Sequence, residues 1–265
     1  MGASGAVEIV RLDTVDSTQS VAFALAEGGA ADRTVVVADR QSAGRGRRGR
    51  AWHAPAGTSL LASILVRPRL PQSLLATLSL TTAVATAEAL RRVASVAARV
   101  KWPNDVLVEG RKIAGILLES RVRTGASLGP PSVQGGRTAP VTTVIGIGVN
   151  LGQREFPPEL AASATSVALE TGRALDRETM LAALLAEFDA WRARLEAEGF
   201  RPIRERWRLL SDTIGRRVTV DAVSGVATDL DVDGALLIDV GGAIKRVIAG
   251  EIASAEAATG APVRG

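Results

Sequence analysis

The chain has 265 residues, of which 46% are hydrophobic, so it is long enough to bury a core and to hold one large domain with a smaller one. It contains no cysteine and a single histidine, His53, which excludes disulfides, thiol nucleophiles and multi-histidine metal sites. Its formal net charge of +4, with acidic and basic residues interspersed, indicates no chain-wide nucleic-acid surface.

The first residues contain no secretory signal, because Glu8 interrupts the apolar stretch, and no apolar run reaches the roughly 18–20 residues that span a bilayer. We therefore expect a soluble cytoplasmic protein without a membrane partner. Among 32 basic residues only Lys101, Lys112 and Lys245 are lysines. A compact ammonium that is kept in an arginine-rich chain indicates a point-charge role.

Strand and helix patterns account for most of residues 7–210. Residues 7–12 predict a strand, and Asp16-Ser17-Thr18 supplies capping residues for a helix that ends at Gly28-Gly29. Five further apolar or β-branched runs predict strands, over residues 34–38, 58–66, 106–108, 112–119 and 141–149. Helical spacing of apolar residues predicts three more helices, over residues 72–98, 178–198 and 203–210.

The pattern changes after Ser211, where short runs of high β content are separated by Ser-Gly, Asp-Gly and Gly-Gly turns. These runs predict a small antiparallel barrel or sandwich, whereas the residues from Ala253 onward carry no structural signal. The predicted organisation is a catalytic domain over residues 1–210 with a flexible insert at 122–140, a small β-barrel domain over 211–256, and a tail over 257–265.

The stretch from Gln41 to Trp52, QSAGRGRRGRAW, combines three glycines with four arginines and no acidic residue. It suits a bound anion, because glycine lets the backbone bend and arginine donates charge-assisted hydrogen bonds. Ordering some ten residues costs about 10–20 kcal/mol, and we expect few internal contacts to offset this. The loop is therefore expected to be mobile when empty and to close over a phosphate or carboxylate. A solvated basic turn or a nucleic-acid patch is the alternative.

Three other segments carry polar residues beside predicted elements: Asp16-Ser17-Thr18-Gln19, Lys101-Trp102-Pro103-Asn104-Asp105 with Arg111-Lys112, and Gly146-Ile147-Gly148-Val149-Asn150. With the arginine-rich loop, and in this order, they closely resemble the biotin protein ligase family. Its GRGRRGR loop, KWPND segment, RKIAGIL strand and GIGVN strand end all occur here verbatim. The resemblance covers most of residues 7–252.

The resemblance implies an α+β fold, with a mixed central sheet and helices of the class II aminoacyl-tRNA synthetase type, followed by a small C-terminal β-barrel. It implies an ATP-dependent ligase that converts biotin into biotinyl-5'-adenylate. The enzyme then transfers biotin to a lysine of a biotin carboxyl carrier protein domain of a biotin-dependent carboxylase. ATP is the co-substrate, biotin the substrate and Mg²⁺ the metal.

Some family members carry an N-terminal DNA-binding domain. Here the catalytic domain begins by about residue 7, so we expect a monofunctional ligase with no nucleic-acid partner. A monomer or weak homodimer is the expected state.

Carried over position by position, the resemblance places two sets of site residues. The biotin-binding set is Ser17, Thr18, Gln19, Gln41, Arg45, Gly46, Arg47 and Lys112. The ATP-binding set is Arg50, Trp52, Lys101, Asn104, Asp105 and Asn150. Gln19 stands where asparagine is common in the family, with the same donors and acceptors. His53 receives no role.

The expected catalytic residues are Lys112, Arg47 and Lys101. Lys112 is expected to touch both the carboxylate of biotin and the α-phosphate, where a mobile ammonium follows the developing charge. Asp105 is the expected magnesium ligand, because a hard cation prefers oxygen. A strand-start cap is the structural alternative for Asp105, and core packing is the alternative to nucleotide contact for Trp102.

Two other functions remain open from the sequence. A lipoate-type ligase would share the fold and the adenylation chemistry, although the GRGRRGR and KWPND motifs favour biotin. A non-catalytic nucleic-acid-binding module would use the arginine-rich loop and bind with steep salt dependence. That second alternative leaves Lys112 and Asn104-Asp105 without a role.

Overall fold

The structure is a computed structural model in which residues 7–122 and 141–257 are described. The predicted insert at 122–140 and tail at 257–265 therefore lie almost entirely outside the described residues. The described chain divides into two compact units. The first consists of the described residues within Met1–Arg69 and Leu117–Gly148, and the second of those within Leu70–Ile116 and Val149–Gly265.

The described residues form twelve strands and six α-helices. The strands are β1 (Ile9–Val15), β2 (Val35–Gln41), β3 (Ser59–Val66), β4 (Arg99–Lys101), β5 (Asp105–Val108), β6 (Arg111–Val122), β7 (Val141–Asn150), β8 (Arg216–Val220), β9 (Val223–Leu230), β10 (Leu236–Val240), β11 (Ala243–Val247) and β12 (Ile252–Ala257). The helices are α1 (Thr18–Glu27), α2 (Thr77–Ala94), α3 (Pro158–Ala161), α4 (Val167–Thr171), α5 (Arg177–Glu198) and α6 (Arg201–Leu210).

The strands form two sheets. A seven-stranded mixed sheet has the order β1-β2-β3-β7-β6-β5-β4, and a five-stranded antiparallel sheet has the order β11-β10-β9-β8-β12. In the first sheet β1 and β2 run parallel, whereas β2–β3, β4–β5 and β5–β6 are antiparallel pairs. The predicted α+β class, with a mixed sheet followed by a small β module, is confirmed.

The core of the first unit forms around α1. The Ser17 side chain caps this helix by accepting a hydrogen bond from the Gln19 main-chain N–H, and the helix ends at Gly28. Ala22, Phe23 and Ala26 lie on its buried face and pack with apolar residues of β2, β3 and β7. This packing fixes the N-terminal turn of α1, which carries the predicted Ser17–Gln19 segment, against the sheet.

The core of the second unit is helical. The long helix α2 packs against α5 and α6, and it also contacts β4 and β5. The hydroxyls of its buried threonines are hydrogen-bonded within the helix, because Thr81, Thr82 and Thr86 each donate to the carbonyl four residues earlier. The β4–β5 segment that carries Lys101 to Asp105 therefore rests on a packed helical layer.

Three boundaries differ from the predictions. The helix predicted over 72–98 is shorter, because Ser95 adopts a left-handed conformation after α2 and residues Arg99–Lys101 form β4. No element was predicted for residues 158–171, where α3 and α4 lie. No structural signal was visible after Ala253, yet β12 pairs there with β8, because main-chain pairing does not require β-branched residues.

Within the part of the chain that the structure describes, no helix is both long enough and apolar enough to cross a lipid bilayer.

Candidate active site

The start of α1 and the end of β2 form a buried polar cluster in the first unit. Gln41 Oε1 accepts hydrogen bonds from the Thr18 main-chain N–H at 2.8 Å and from Thr18 Oγ1 at 3.0 Å. Thr18 Oγ1 also lies 2.8 Å from the Ser63 hydroxyl. Ser17, Thr18 and Gln19 are each only 3% exposed. The structure thus brings four predicted biotin-binding residues, Ser17, Thr18, Gln19 and Gln41, to one region.

A glycine on β7 makes room for Gln19. The Gln19 amide donates from Nε2 to the Leu117 carbonyl at 3.0 Å. A Cβ added at Gly146 would lie 2.9 Å from Gln19 Cδ, closer than carbon atoms approach in proteins. The longer amide that stands here instead of asparagine is accommodated by this missing side chain.

A second glycine on the same strand accommodates Trp52. A Cβ added at Gly148 would lie 2.6 Å from Trp52 Cζ2 and 2.9 Å from Trp52 Nε1. Gly146 and Gly148 are two residues apart on β7, so they lie on the same face of the strand. The two glycines of GIGVN are the sequence signal for the space that Gln19 and Trp52 occupy. The sequence had given a role only to Asn150 in this motif.

The arginine-rich loop is a small hairpin with its own hydrogen bonds. Arg45 and Ala51 form an antiparallel bridge, and Gly46 N–H donates to the Arg50 carbonyl at 2.7 Å. Between them a 3₁₀ turn over Arg47–Gly49 contains Arg48 in a left-handed conformation, with φ 54°. Our expectation of few internal contacts in a Gly/Arg segment was therefore wrong, because glycine and arginine main chains pair as well as any others.

One arginine of the loop pairs with an acidic side chain. Arg45 donates from both terminal nitrogens to Glu119, at 3.3 Å and 3.0 Å. The two side chains are 39% and 34% exposed, so solvent screens the pair. Glu119, at the end of the predicted 112–119 strand, was missing from the sequence-based site.

The two arms of the loop line a cavity of about 450 Å³, formed by Arg40–Gly44 and Ala51–Ala56. Gln41 and Trp52 border this cavity, as does His53, the only histidine of the chain.

In the second unit, Lys112 meets Asp105 across the β5–β6 hairpin. Lys112 Nζ lies 2.5 Å from Asp105 Oδ1. Lys101 is the antiparallel partner of Asp105 in the β4–β5 pair, and Asp105 is in turn opposite Gly115 of β6. The structure thus brings Lys112 into contact with the Asp105 carboxylate, and the strand register places Lys101 opposite Asp105.

Residues 163–166 support the main chain at Lys112. The Lys112 N–H donates to the Ser163 carbonyl at 2.7 Å, and its carbonyl accepts from the Thr165 N–H at 2.9 Å. The Thr165 carbonyl also accepts from Asn150 Nδ2 at 2.9 Å. This segment links the two strand ends that carry Lys112 and Asn150, and nothing in the sequence had indicated it.

The side-chain amide of Asn104, like that of Asn150, donates a hydrogen bond to a main-chain carbonyl. Asn104 Nδ2 donates to the Ile116 carbonyl at 2.6 Å, while the Ile116 N–H donates to the Asn104 carbonyl at 2.9 Å. Trp102, two residues earlier, is only 2% exposed. Core packing, the structural alternative for Trp102, is therefore correct.

The described residues contain no group of three or more His, Cys, Asp or Glu side chains that could enclose a metal ion. Asp105 is the carboxylate of the second-unit set. The set can hold an anion through Lys101 and Lys112, and it can share a divalent cation with ligand oxygens and water. This is a donor set for phosphate chemistry.

Comparisons with known proteins agree with this chemistry. A family model described as "Biotin/lipoate A/B protein ligase family" matches residues 12–129. The chain is similar to the biotin–acetyl-CoA-carboxylase ligase of Paracoccus denitrificans, with 39% identity over 237 residues that cover 86% of this chain and 92% of the relative. It is also similar to the bifunctional ligase/repressor BirA of Bacillus spizizenii, with 32% identity over 250 residues that cover 92% of this chain and 73% of the relative.

Among solved structures, the biotin protein ligase from Aquifex aeolicus in complex with biotin and ATP superposes with a TM-score of 0.78 at 28% identity, covering 93% of this chain and 97% of that one.

Proposed function

The chain belongs to the biotin protein ligase family, and from this membership we infer how its own residues carry out the reaction. It is an ATP-dependent biotin ligase whose protein substrate is a carboxyl carrier protein. The matching relatives carry biotin ligase names, which decides against the lipoate alternative.

The first-unit cluster is assigned to biotin. Thr18 and Gln41 are joined by two hydrogen bonds, and the Gln19 amide is held separately by its bond to the Leu117 carbonyl. Groups held in this way are pre-organised for a polar ring system, because they lose little further freedom on binding. Ser17 contributes by capping α1 and so fixing the turn that carries Thr18.

The loop is assigned to the anionic end of the substrate. Because Glu119 engages the Arg45 guanidinium, Arg45 and Gly46 are proposed to contribute mainly through their main chain. The Arg47 side chain is proposed to bind the carboxylate of biotin and then the phosphate of the adenylate. Arg50 and Trp52 are assigned to ATP.

The second-unit set is assigned to activation. One oxygen of the biotin carboxylate attacks the α-phosphorus of ATP, and the bond from that phosphorus to pyrophosphate breaks. The amine of a carrier lysine then attacks the acyl carbon of biotinyl-5'-adenylate and AMP leaves. The observation that carries this assignment is the 2.5 Å contact between Lys112 Nζ and Asp105 Oδ1. It holds an ammonium ready to stabilise the charge that develops on carboxylate and phosphate.

Lys101 is proposed to bind phosphate oxygens beside Lys112. Asn104 and Asn150 are assigned to the nucleotide site, and their hydrogen bonds to Ile116 and Thr165 also fix its backbone.

Magnesium fits this set through Asp105. Mg²⁺ usually binds one or two protein carboxylates together with phosphate oxygens and water, so a single accessible carboxylate is sufficient. When bound there it neutralises charge on the phosphates of ATP. A cytoplasmic location, a monomeric or weakly dimeric state, the absence of a nucleic-acid partner and the domain boundaries at residues 210 and 256 stay predictions.

The direct test is mass spectrometry of a purified carrier domain after incubation with the enzyme, biotin, ATP and Mg²⁺. We expect one biotin-sized mass gain on a single lysine, and none when ATP is left out. The matched reaction with lipoate in place of biotin should give no gain. A carrier that stays unmodified in the complete mixture, or that gains lipoate, would contradict the assignment.

A further inference from the structure

Trp102, which lies between Lys101 and Asp105, is hydrogen-bonded to the C-terminal part of the second unit. Its main-chain N–H donates to Thr213 Oγ1 at 3.0 Å, and its indole Nε1 donates to the Gly234 carbonyl at 3.2 Å. Trp102 and Thr213 are 2% and 0% exposed. Water therefore does not replace either hydrogen bond easily, and both hold the tryptophan in one position.

The residues before Trp102 are held at the same place. The Asp212 N–H donates to the Val100 carbonyl at 2.8 Å, and Val100 forms a parallel bridge with Ser211. Arg99 donates to the Ser211 carbonyl and lies 3.7 Å from Asp212 Oδ1. Ser211 itself folds the turn, because its hydroxyl oxygen accepts from the Thr213 and Ile214 N–H groups at 2.9 Å.

The Gly234 carbonyl is fixed by its own environment. Gly234 has φ +87°, a conformation that favours glycine, and its N–H donates to the Asp231 carbonyl at 3.0 Å. A Cβ there would lie 2.7 Å from Leu80 Cδ1 on α2. The turn before β10 therefore packs closely against α2. The Gly234 carbonyl that accepts from the Trp102 indole has little room to move.

We propose that Thr213 and Gly234 are positioning residues for activation, acting through Trp102 on Lys101 and Asp105. This inference rests on the proposed function of those two residues. Lys101 directly precedes Trp102, and Asp105 follows it by three residues, so a displaced tryptophan displaces both. The pair Lys112–Asp105 requires Asp105 in place. The C-terminal module would therefore serve the first half-reaction by holding the activation set in register.

The test uses three variants in the full chain. Thr213→Val removes the acceptor at nearly constant volume, and Thr213→Ser keeps it. Thr228→Val is the control, because Thr228 is an exposed threonine of β9 whose hydroxyl donates to the Leu237 carbonyl. Each variant is assayed for pyrophosphate release with biotin and ATP, for transfer from preformed biotinyl-adenylate to a carrier domain, and for melting temperature.

We expect Thr213→Val to lower kcat for pyrophosphate release about tenfold or more, since misplacing catalytic groups by fractions of an ångström is enough for that. Transfer from preformed adenylate should stay within about twofold, because the activation set is not needed for it. Thr213→Ser should recover most of the rate, and Thr228→Val should match the wild type. If Thr213→Val fails to fold, Thr213→Cys replaces it, since a thiol is a weaker acceptor of similar size.

The outcomes separate this inference from the proposed function. A wild-type protein that releases no pyrophosphate would refute the function and the inference with it. Wild-type activity together with an unchanged rate in Thr213→Val would refute the inference alone. So would an equal loss in both half-reactions, or an equal loss in Thr213→Ser, because either result would mark a merely structural residue.

Discussion

The two units hold their charged segments in opposite ways. In the first unit, the loop over residues 41–52 exposes most of its arginines, and its contacts include a short hairpin, a solvent-exposed ion pair and the packing of Trp52 against Gly148. In the second unit, residues 99–112 are bonded to residues at 163–165, 211–213 and 234, and the partners Thr165, Thr213 and Gly234 are buried. We therefore expect the first segment to separate from its support at a lower cost in free energy than the second.

This difference agrees with the roles that we propose for the two segments. Electrostatic stabilisation of a transition state works best when the charges are already in place, so the groups around Lys112 gain from rigid anchoring. A cover over a reactive intermediate must open for substrate and carrier, so weak attachment suits the loop. The comparison predicts that changes in the second unit alter the rate of activation, while changes in the loop alter retention of the adenylate.

The largest effect is expected for Lys112→Ala. It should keep the fold and lower the rate of pyrophosphate release at least about 100-fold, because it removes about 3 kcal/mol or more of charge stabilisation. Lys245→Ala is the matched control, since Lys245 lies on the exposed strand β11. Release at a near wild-type rate in Lys112→Ala, with a native melting temperature, would remove Lys112 from the mechanism.

A smaller effect is expected for Arg47→Gly. The change removes an anion contact and adds chain entropy to the open loop, so biotinyl-adenylate should escape into solvent about tenfold faster. Arg48→Gly is the control in the same loop, because Arg48 has φ 54° and glycine adopts that conformation without strain. Filter-binding release of radiolabelled adenylate measures both. Equal release from the two variants would show that charge loss alone, and not the Arg47 contact, controls retention.

The sequence predicted most of the fold, and it supplied a set of site residues that stays a prediction, but it did not show how those residues are held in place. Strands such as β3 and helices such as α5 follow directly from apolar periodicity. Lys112 was proposed because lysine is rare in this chain, and Asp105 because it lies in the KWPND segment of the family. Glu119 and Thr213 were missed, because each acts through a partner 74 or 111 residues away and no local pattern records such a pair.

In the loop over residues 41–52, too, the side-chain pattern did not predict the hydrogen bonds that form. Its composition predicted that it binds an anionic ligand, which stays a prediction, and in the structure Glu119 engages Arg45. Composition also suggested that Gly/Arg residues make few internal bonds, which the bridge between Arg45 and Ala51 contradicts. Main-chain hydrogen bonding depends on conformation and not on side-chain type, so counting side chains underestimated the order of the loop.

Gly148→Ala disturbs the packing that supports Trp52 without changing any charge of the loop. The added methyl would overlap the Trp52 indole, so the ring must move and the loop residues that precede it with it. Overpacking of this kind costs about 1–3 kcal/mol, and we expect adenylate release about fivefold faster. Gly28→Ala is the matched control, because a Cβ there makes only ordinary contacts, at 3.4 Å and 3.7 Å.

The double variant Gly148→Ala with Trp52→Leu provides the internal check. Leucine is small enough to leave space for the new methyl, so amide hydrogen exchange of residues 44–51 should return toward that of Trp52→Leu alone. If the two changes instead add independently, the indole does not rest on Gly148 in solution, and the contact has no part in holding the loop.

The smallest effect is expected for Glu119→Gln. The Arg45–Glu119 pair is exposed, and pairs of this kind contribute about 0.2–1 kcal/mol, so amide hydrogen exchange of residues 41–53 should rise only about two- to threefold in the free enzyme. Glu27→Gln removes the pair with Arg121, which is more exposed than the Arg45–Glu119 pair, and should leave the loop unchanged.

With biotin and ATP bound, wild type and Glu119→Gln should be protected equally, because ligand contacts then hold the loop in place of the ion pair. Added salt should have the same effect as the substitution, since screening weakens exposed pairs. If the free wild-type loop is already as protected as the liganded one, and Glu119→Gln does not change it, the hairpin alone fixes residues 44–50. The loop would then be a rigid platform, and the contrast with the anchored second-unit segment would lie in exposure and not in mobility.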